Sequence, residues 1–297
     1  MPPGSAASMP PVLALALALS SSFAWGVADF VAGLKSRSLP VASVMLVAVV
    51  TGLALAGAVV LTRGVAAPTT SFLVYAALSA VVGSIGLAAF YRGLAIGPMS
   101  VVAPIAATGA AVPVAFGLAS GERPAALQVA GAAIALAGVM LAAREEESRF
   151  GGSGRSTGGT HLARGVPLAL LAAVGLGSFL VAIDAASEGD VGWAILVNRL
   201  VSLGLLSLAA LLLRPRPPAN LRDAAPAILV GVLDTTANIL IAIATTLGLV
   251  SLVGVLGSLY PVVTIALART VLGERIGRAQ QVGAGTALAG VVLIAAG

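Results

Sequence analysis

Four ionisable side chains lie within, or at the edge of, long apolar stretches: Asp29, Asp184, Arg199 and Asp234. A charge at the centre of a membrane-spanning helix costs about 2.5–3.5 kcal/mol on insertion scales, so it normally turns toward a cavity or a partner. Asp234 is the deepest carboxylate. Asn238 follows it at i+4 and Thr245 at i+11, so the three share one helix face. Arg199, preceded by Asn198, sits at comparable depth in the preceding apolar run. Carboxylate, carboxamide and guanidinium together suit a zwitterion such as an amino acid, with Arg199 taking the carboxylate. Trp25 and Tyr260 are the aromatic walls expected around such a site. The competing reading is an Asp234–Arg199 pair that only locks two helices together. Asp29 shares a face with Ser22 and Trp25. It reads either as a titratable group in a cavity wall beside an aromatic platform, or as an interfacial acid near Lys35. Asp184 and Glu188, at i and i+4, read as interfacial, and Tyr91-Arg92 as an interface anchor. Glu122 and Glu274 stand beside Arg123 and Arg275 in short turns, where they are expected to cap helices or pair locally.

The scarce residues exclude several chemistries. The chain has no Cys, so thiolate nucleophiles, Fe–S clusters and Cys-ligated zinc are impossible. A single His, His161, rules out an HExxH site. The only Lys, Lys35, lacks the preceding Gly of a Walker A loop, so the chain carries no ATPase motif. Nothing here suggests an enzyme, and no cofactor or metal is expected. The net charge is +5, with a pI near 10.7. The arginines fall singly or in small groups between apolar runs, which suits topology determinants and lipid headgroup contacts better than nucleic acid.

The elements that position these residues follow from composition. Charged residues make up 9% of the chain and AVILMFWYC residues 59%, with a mean hydropathy of +1.08. A soluble domain carries roughly 25% charged residues. The apolar runs are 12–34, 41–61, 72–91, 99–118, 127–143, 166–187, 192–213, 225–247, 249–268 and 282–296. Most are apolar all round, as helices in lipid are. The expectation is an all-α membrane protein of ten transmembrane helices in the plasma membrane. The first run has no Lys or Arg before it and exceeds the usual length of a signal-peptide core, so it reads as a span and not a cleaved leader.

The stretch 144–165 is polar and rich in Gly and Ser, and is expected to be a flexible linker between halves 1–143 and 166–297. The halves resemble one another. Gly121-Glu122-Arg123 recurs as Gly273-Glu274-Arg275, and in the same register Gln128 matches Gln280 and Gly131 matches Gly283. Five runs per half is an odd number, so the copies must enter the membrane from opposite sides. That is the inverted repeat of secondary transporters, whose substrate site lies near the midplane between copies.

Ala24-Trp25-Gly26, Gly97-Pro98, Ser251-Leu252-Val253, Leu259-Tyr260-Pro261-Val262-Val263 and Leu272-Gly273-Glu274-Arg275 carry a resemblance to the EamA family of the drug/metabolite transporter superfamily. The resemblance covers essentially the whole chain. It implies ten helices, termini on the cytoplasmic side and export of small metabolites by alternating access.

Pro104 and Pro113 inside the fourth run, and Pro261 inside the ninth, are expected to break matched helices and so to gate the site. Small residues at four-residue spacing (Gly131/Ala135, Gly283/Ala287) mark either a homodimer face or an internal contact. All lysines and arginines except Arg63, Arg123 and Arg199 fall in odd-numbered loops. The positive-inside rule therefore places those loops in the cytoplasm and both termini outside, opposite to what the resemblance implies. The functional expectation is proton-coupled export of a small polar or amphipathic metabolite. Asp234 is the first proton carrier expected and Asp29 the second. Facilitated diffusion and lipid flipping are the alternatives.

Overall fold

A computed structural model describes residues 11–36, 38–96, 102, 105–142, 158–215, 218, 220–272 and 278–296, and every regular element among them is helical. The first half contains α1 (Pro11–Lys35), α2 (Val41–Arg63), α3 (Thr70–Ile96), α4 (Ala111–Ala119) and α5 (Ala126–Ala142). A 3-10 turn over Thr108–Ala110 leads into α4. The second half contains α6 (Gly158–Ser187), α7 (Val191–Leu213), α8 (Leu221–Leu247), α9 (Val250–Gly257), α10 (Tyr260–Leu272) and α11 (Arg278–Ala296).

Among the described residues, six helical stretches can cross a membrane by length and apolar composition: Val12–Lys35, Val41–Arg63, Thr70–Gly93, Gly165–Ser187, Val191–Leu213 and Leu221–Leu247. The remaining apolar helical stretches are shorter: Ile105–Ala119, Ala126–Leu141, Val250–Thr264 and Gln281–Ile294. Large side chains such as Leu61, Leu211, Leu212 and Leu221 are exposed on the outside of the bundle, while Ala, Gly and Ser fill much of the inside. That inversion of the usual rule is what lipid contact produces, because lipid offers no penalty to exposed Leu and close helix packing needs small residues.

Polar groups mark the ends. Asp190 and Asn220 accept backbone N–H bonds at the starts of α7 and α8. Gly64, at φ 59°, ends α2 in the left-handed conformation that glycine adopts without strain. Helix α6 begins at Gly158, inside the stretch 144–165 expected to be a flexible linker. Once the apolar span nucleates a helix, each further turn adds hydrogen bonds at little extra cost, so the helix extends into the polar segment.

Packing follows a two-fold pattern. Helix α1 packs along α8, and its counterpart α6 packs along α3. Likewise α2 contacts α8 as α7 contacts α3. The pairs α2–α7 and α5–α11 each join an element to its own counterpart, while α4 packs on α9. The small residues of α5 and α11 face each other inside the chain. Gly131 lies against the Gly290 backbone and Gly138 against the Ala287 backbone, so a side chain at either glycine would meet main-chain atoms. Pro261 lies in the first turn of α10, just after the break at Ser258-Leu259, whereas Pro113 lies just after the 3-10 turn Thr108–Ala110, within the helical stretch Ile105–Ala119. At Pro261 the missing N–H costs nothing. Pro104 lies outside the described residues.

Candidate functional site

The central cavity, about 120 Å³, is bounded by both halves. Helix α1 brings Trp25 and Asp29 to it, one turn apart on one face. Helix α7 contributes Asn198 and Arg199, and α8 contributes Asp234 and Asn238. Ser258 and Tyr260 reach it from the break between α9 and α10. The six residues expected from sequence to form a site or carry a proton therefore line one space, with both Asp234 and Arg199 facing inward.

Arg199 and Asp234 are already paired. Nη2 of Arg199 stands 2.7 Å from Oδ2 of Asp234, which joins α7 to α8. The guanidinium is buried, and its Nε and Nη2 have no aligned hydrogen-bond acceptor among the described residues, so the contact is an ion pair by distance without a well-directed N–H···O bond. Asn238 donates from Nδ2 to the Asp234 carbonyl oxygen at 2.7 Å. Asn198 donates to Ser79 Oγ on α3 at 2.9 Å, which fixes the start of the polar stretch on α7. Helix α2 gives Arg199 room at Gly52, where any side chain would meet the Thr235 hydroxyl and the arginine stem.

Asp29 faces the cavity and accepts a hydrogen bond of 3.1 Å from the Tyr91 hydroxyl. Tyr91 is thus buried and engaged across the bundle, not an interface anchor. The reason is length: the helix carrying it continues to Ile96, so Tyr91 lies more than a turn inside its end. Aromatic rings frame the space. Trp25 meets Phe179 edge-on at 6.5 Å between centroids, and Phe90 meets Tyr260 edge-on at 6.1 Å. The Tyr260 hydroxyl is buried and has no hydrogen-bond partner among the described residues.

A larger cavity of about 790 Å³ lies at the Arg63 end of the bundle, lined by Arg63, Glu122, Asp184, Glu188, Asp190 and Thr245 among others. Asp184 and Glu188 thus stand at a helix end, as their position in the sequence suggests, but they line a cavity there. Thr245, expected on one face with Asp234 and Asn238, belongs to this second space. The polar face of α8 accordingly runs from one cavity to the other. Arg63 clasps Asp190 through two hydrogen bonds of 2.8 and 3.1 Å. Asp190 also accepts from the Trp193 N–H at 3.0 Å. Burial alone would push the Asp190 carboxyl up. The Trp193 N–H and the Arg63 guanidinium outweigh it and hold the group below its ordinary value.

Glu122 caps a helix, but one in the other half of the chain. Its carboxylate accepts from the backbone N–H groups of Val250 (2.6 Å) and Ser251 (3.2 Å), the first two residues of α9. Its sequence neighbour Arg123 gave no hint of this long-range contact, and Glu274 lies outside the described residues. At the opposite end Lys35 of α1 pairs with Asp223 of α8 at 3.0 Å. One end of the α1–α8 contact is therefore closed by an ion pair, while the other end borders the larger cavity.

The EamA-like transporter family model matches the chain twice, over residues 12–144 and 163–296. No curated protein matches the chain in sequence. In fold the chain is similar to a protein of known crystal structure, with a TM-score of 0.74 and 20% identity over 94% of this chain and 95% of that one. At that identity the likeness speaks for the architecture alone.

Proposed function

Because the chain belongs to the EamA-like transporter family, a multi-pass membrane type that moves drugs and metabolites, we propose that it is a proton-coupled secondary exporter of a small polar or amphipathic metabolite. In this reading ten spans form two inverted repeats in the plasma membrane, and the α9–α10 break completes the ninth span. The observation that carries the reading is the convergence of Arg199, Asp234, Asn238, Asp29, Trp25 and Tyr260 on one cavity between the halves. Lipid offers such groups no partners, and intramembrane ionisable residues serve function by default.

The two ends support a reading of alternating access. The Lys35–Asp223 pair closes one side while the larger cavity occupies the other. Moving one repeat against the other would open the first and close the second. The functional test compares metabolites inside and outside cells with and without the protein, at two external pH values. The expected result is a compound that accumulates outside only when the protein is present, and more so with an inward proton gradient. Identical profiles in both cell types would rule out the exporter. Export that ignores pH would leave facilitated diffusion in its place.

A further inference from the structure

Three charged side chains line the central cavity, and their charges do not cancel. Arg199 and Asp234 neutralise one another at 2.7 Å. Asp29 has only the Tyr91 hydroxyl, and among the described residues no lysine or arginine pairs with it. A buried carboxylate without a counter-charge is costly, so the empty site is neutral only when Asp29 holds a proton. The walls around it are aromatic. Trp25 lies one turn before Asp29 on the same helix in a T-shaped contact with Phe179, and Phe90 packs on Tyr260 across the space. Aromatic faces beside a lone carboxylate attract organic cations and give no such advantage to anions.

We propose that this cavity binds a monocation, a protonated amine with an apolar or aromatic body, in exchange for a proton on Asp29. The proposal rests on the carrier reading above and names its substrate class and its exchanging group. The step balances. The ammonium enters, the Asp29 carboxylic acid loses its O–H proton to water, and the resulting carboxylate pairs with the ammonium. One proton leaves for each cation bound, and the charge of the site stays the same. A zwitterion carries no net charge, so it would release no proton from Asp29, and a carboxylate would add a negative charge to the site. Asp234 keeps Arg199 as its partner throughout, which makes Asp29 and not Asp234 the proton carrier. The charged and titratable groups facing Asp29 are Tyr91 from α3, Arg199 from α7, Asp234 from α8 and Tyr260 from α10. The lining residues from α2, α6 and α9 carry none. An inward proton gradient then drives the cation outward, because proton and amine compete for one carboxylate.

The test uses the full-length protein in detergent and three probes that share a phenyl ring: phenethylamine, phenylalanine and phenylacetate. Calorimetry in buffers of different ionisation enthalpy reads affinity and proton release together. Phenethylamine is expected to bind most tightly, to release about one proton per molecule bound, and to lose affinity about tenfold per pH unit on acidification where Asp29 is protonated. Asp29→Asn, with unchanged thermal unfolding, is expected to abolish the proton release, and Asp29→Glu to retain it. Tighter binding of either other probe, amine binding without proton release, or no binding by any probe would overturn the proposal. Proteoliposomes separate it from the carrier reading. Proton release on amine binding with no transport of any probe removes the carrier and keeps the site. Proton-driven movement of phenylalanine but not of phenethylamine keeps the carrier and removes the amine site.

Discussion

Asp234 and Arg199 depend on each other more than either depends on the solvent. Their pair is buried on the arginine side and joins α7 to α8, so removing one charge strands the other. Breaking such a pair costs about 3–5 kcal/mol, whereas replacing both partners with apolar residues is often neutral. Asp234→Asn should therefore lower the thermal unfolding temperature markedly, and Asp234→Leu with Arg199→Leu should recover most of it. A double variant as unstable as the single one would mean that the pair contributes little and that the loss lies elsewhere. Asp190 makes a second, pH-dependent case outside the spans. Its folded-state carboxyl is held low, so its stabilisation is complete above the unfolded value of about 3.9 and disappears as pH falls through the lower folded value. Trp193 donates from its indole nitrogen to the Val65 carbonyl nearby. Its fluorescence should change only below about pH 4, with a midpoint that rises in Arg63→Gln. A midpoint unmoved by that substitution would show that Arg63 does not hold Asp190 down. The inward-facing charges were legible in the sequence because depth in an apolar run leaves them few alternatives. The Tyr91–Asp29 bond was not, because it depends on where α3 ends, and hydropathy fixes helix ends only loosely.

At the level of elements, α9 is short and wholly buried, and its N-terminal N–H groups find their acceptor in the opposite half of the chain. Those groups have no partner within their own helix, and a carboxylate there also meets the positive end of the helix dipole. Glu122→Ala should destabilise this end by about 1–2 kcal/mol. The loss should appear in hydrogen exchange as faster opening at Val250 and Ser251, with α7 and α8 protected as before. Unchanged exchange at those two amides would assign their protection to packing alone. Apolar runs predicted most helices because lipid imposes one requirement, an unbroken apolar length with its backbone bonded internally. The division of the ninth run at Ser258-Leu259 was only half legible. Pro261 announced a break nearby, but it sits in the first turn of α10 instead of kinking a continuous helix. Glu122 was expected to cap a helix or pair locally, from its charge and its place in a turn. Which helix it caps is a property of how the halves meet, and no local pattern encodes that.

For the whole molecule, the symmetric packing of the halves contrasts with the uneven charge of its two ends. The end that holds the larger cavity gathers Glu122, Asp184, Glu188 and Asp190, and its Arg63 is taken up by Asp190. The other end holds Lys35, and the odd-numbered loops hold every remaining basic residue except Arg123 and Arg199. Basic loops stay in the cytoplasm, so the charge count places the larger cavity and both chain ends outside and the Lys35–Asp223 pair inside. The family resemblance implies the opposite orientation. The absence of cysteine makes the choice measurable without first removing any native thiol. Glu188 borders the cavity and is exposed, and Ser38 is exposed beyond the end of α1 on the opposite side. With a membrane-impermeant maleimide, Glu188→Cys should label in intact cells and Ser38→Cys only after permeabilisation. The reverse pattern would show that the repeat architecture was inserted against its own charge bias. The larger cavity would then face the cytoplasm, where an exporter loads its substrate.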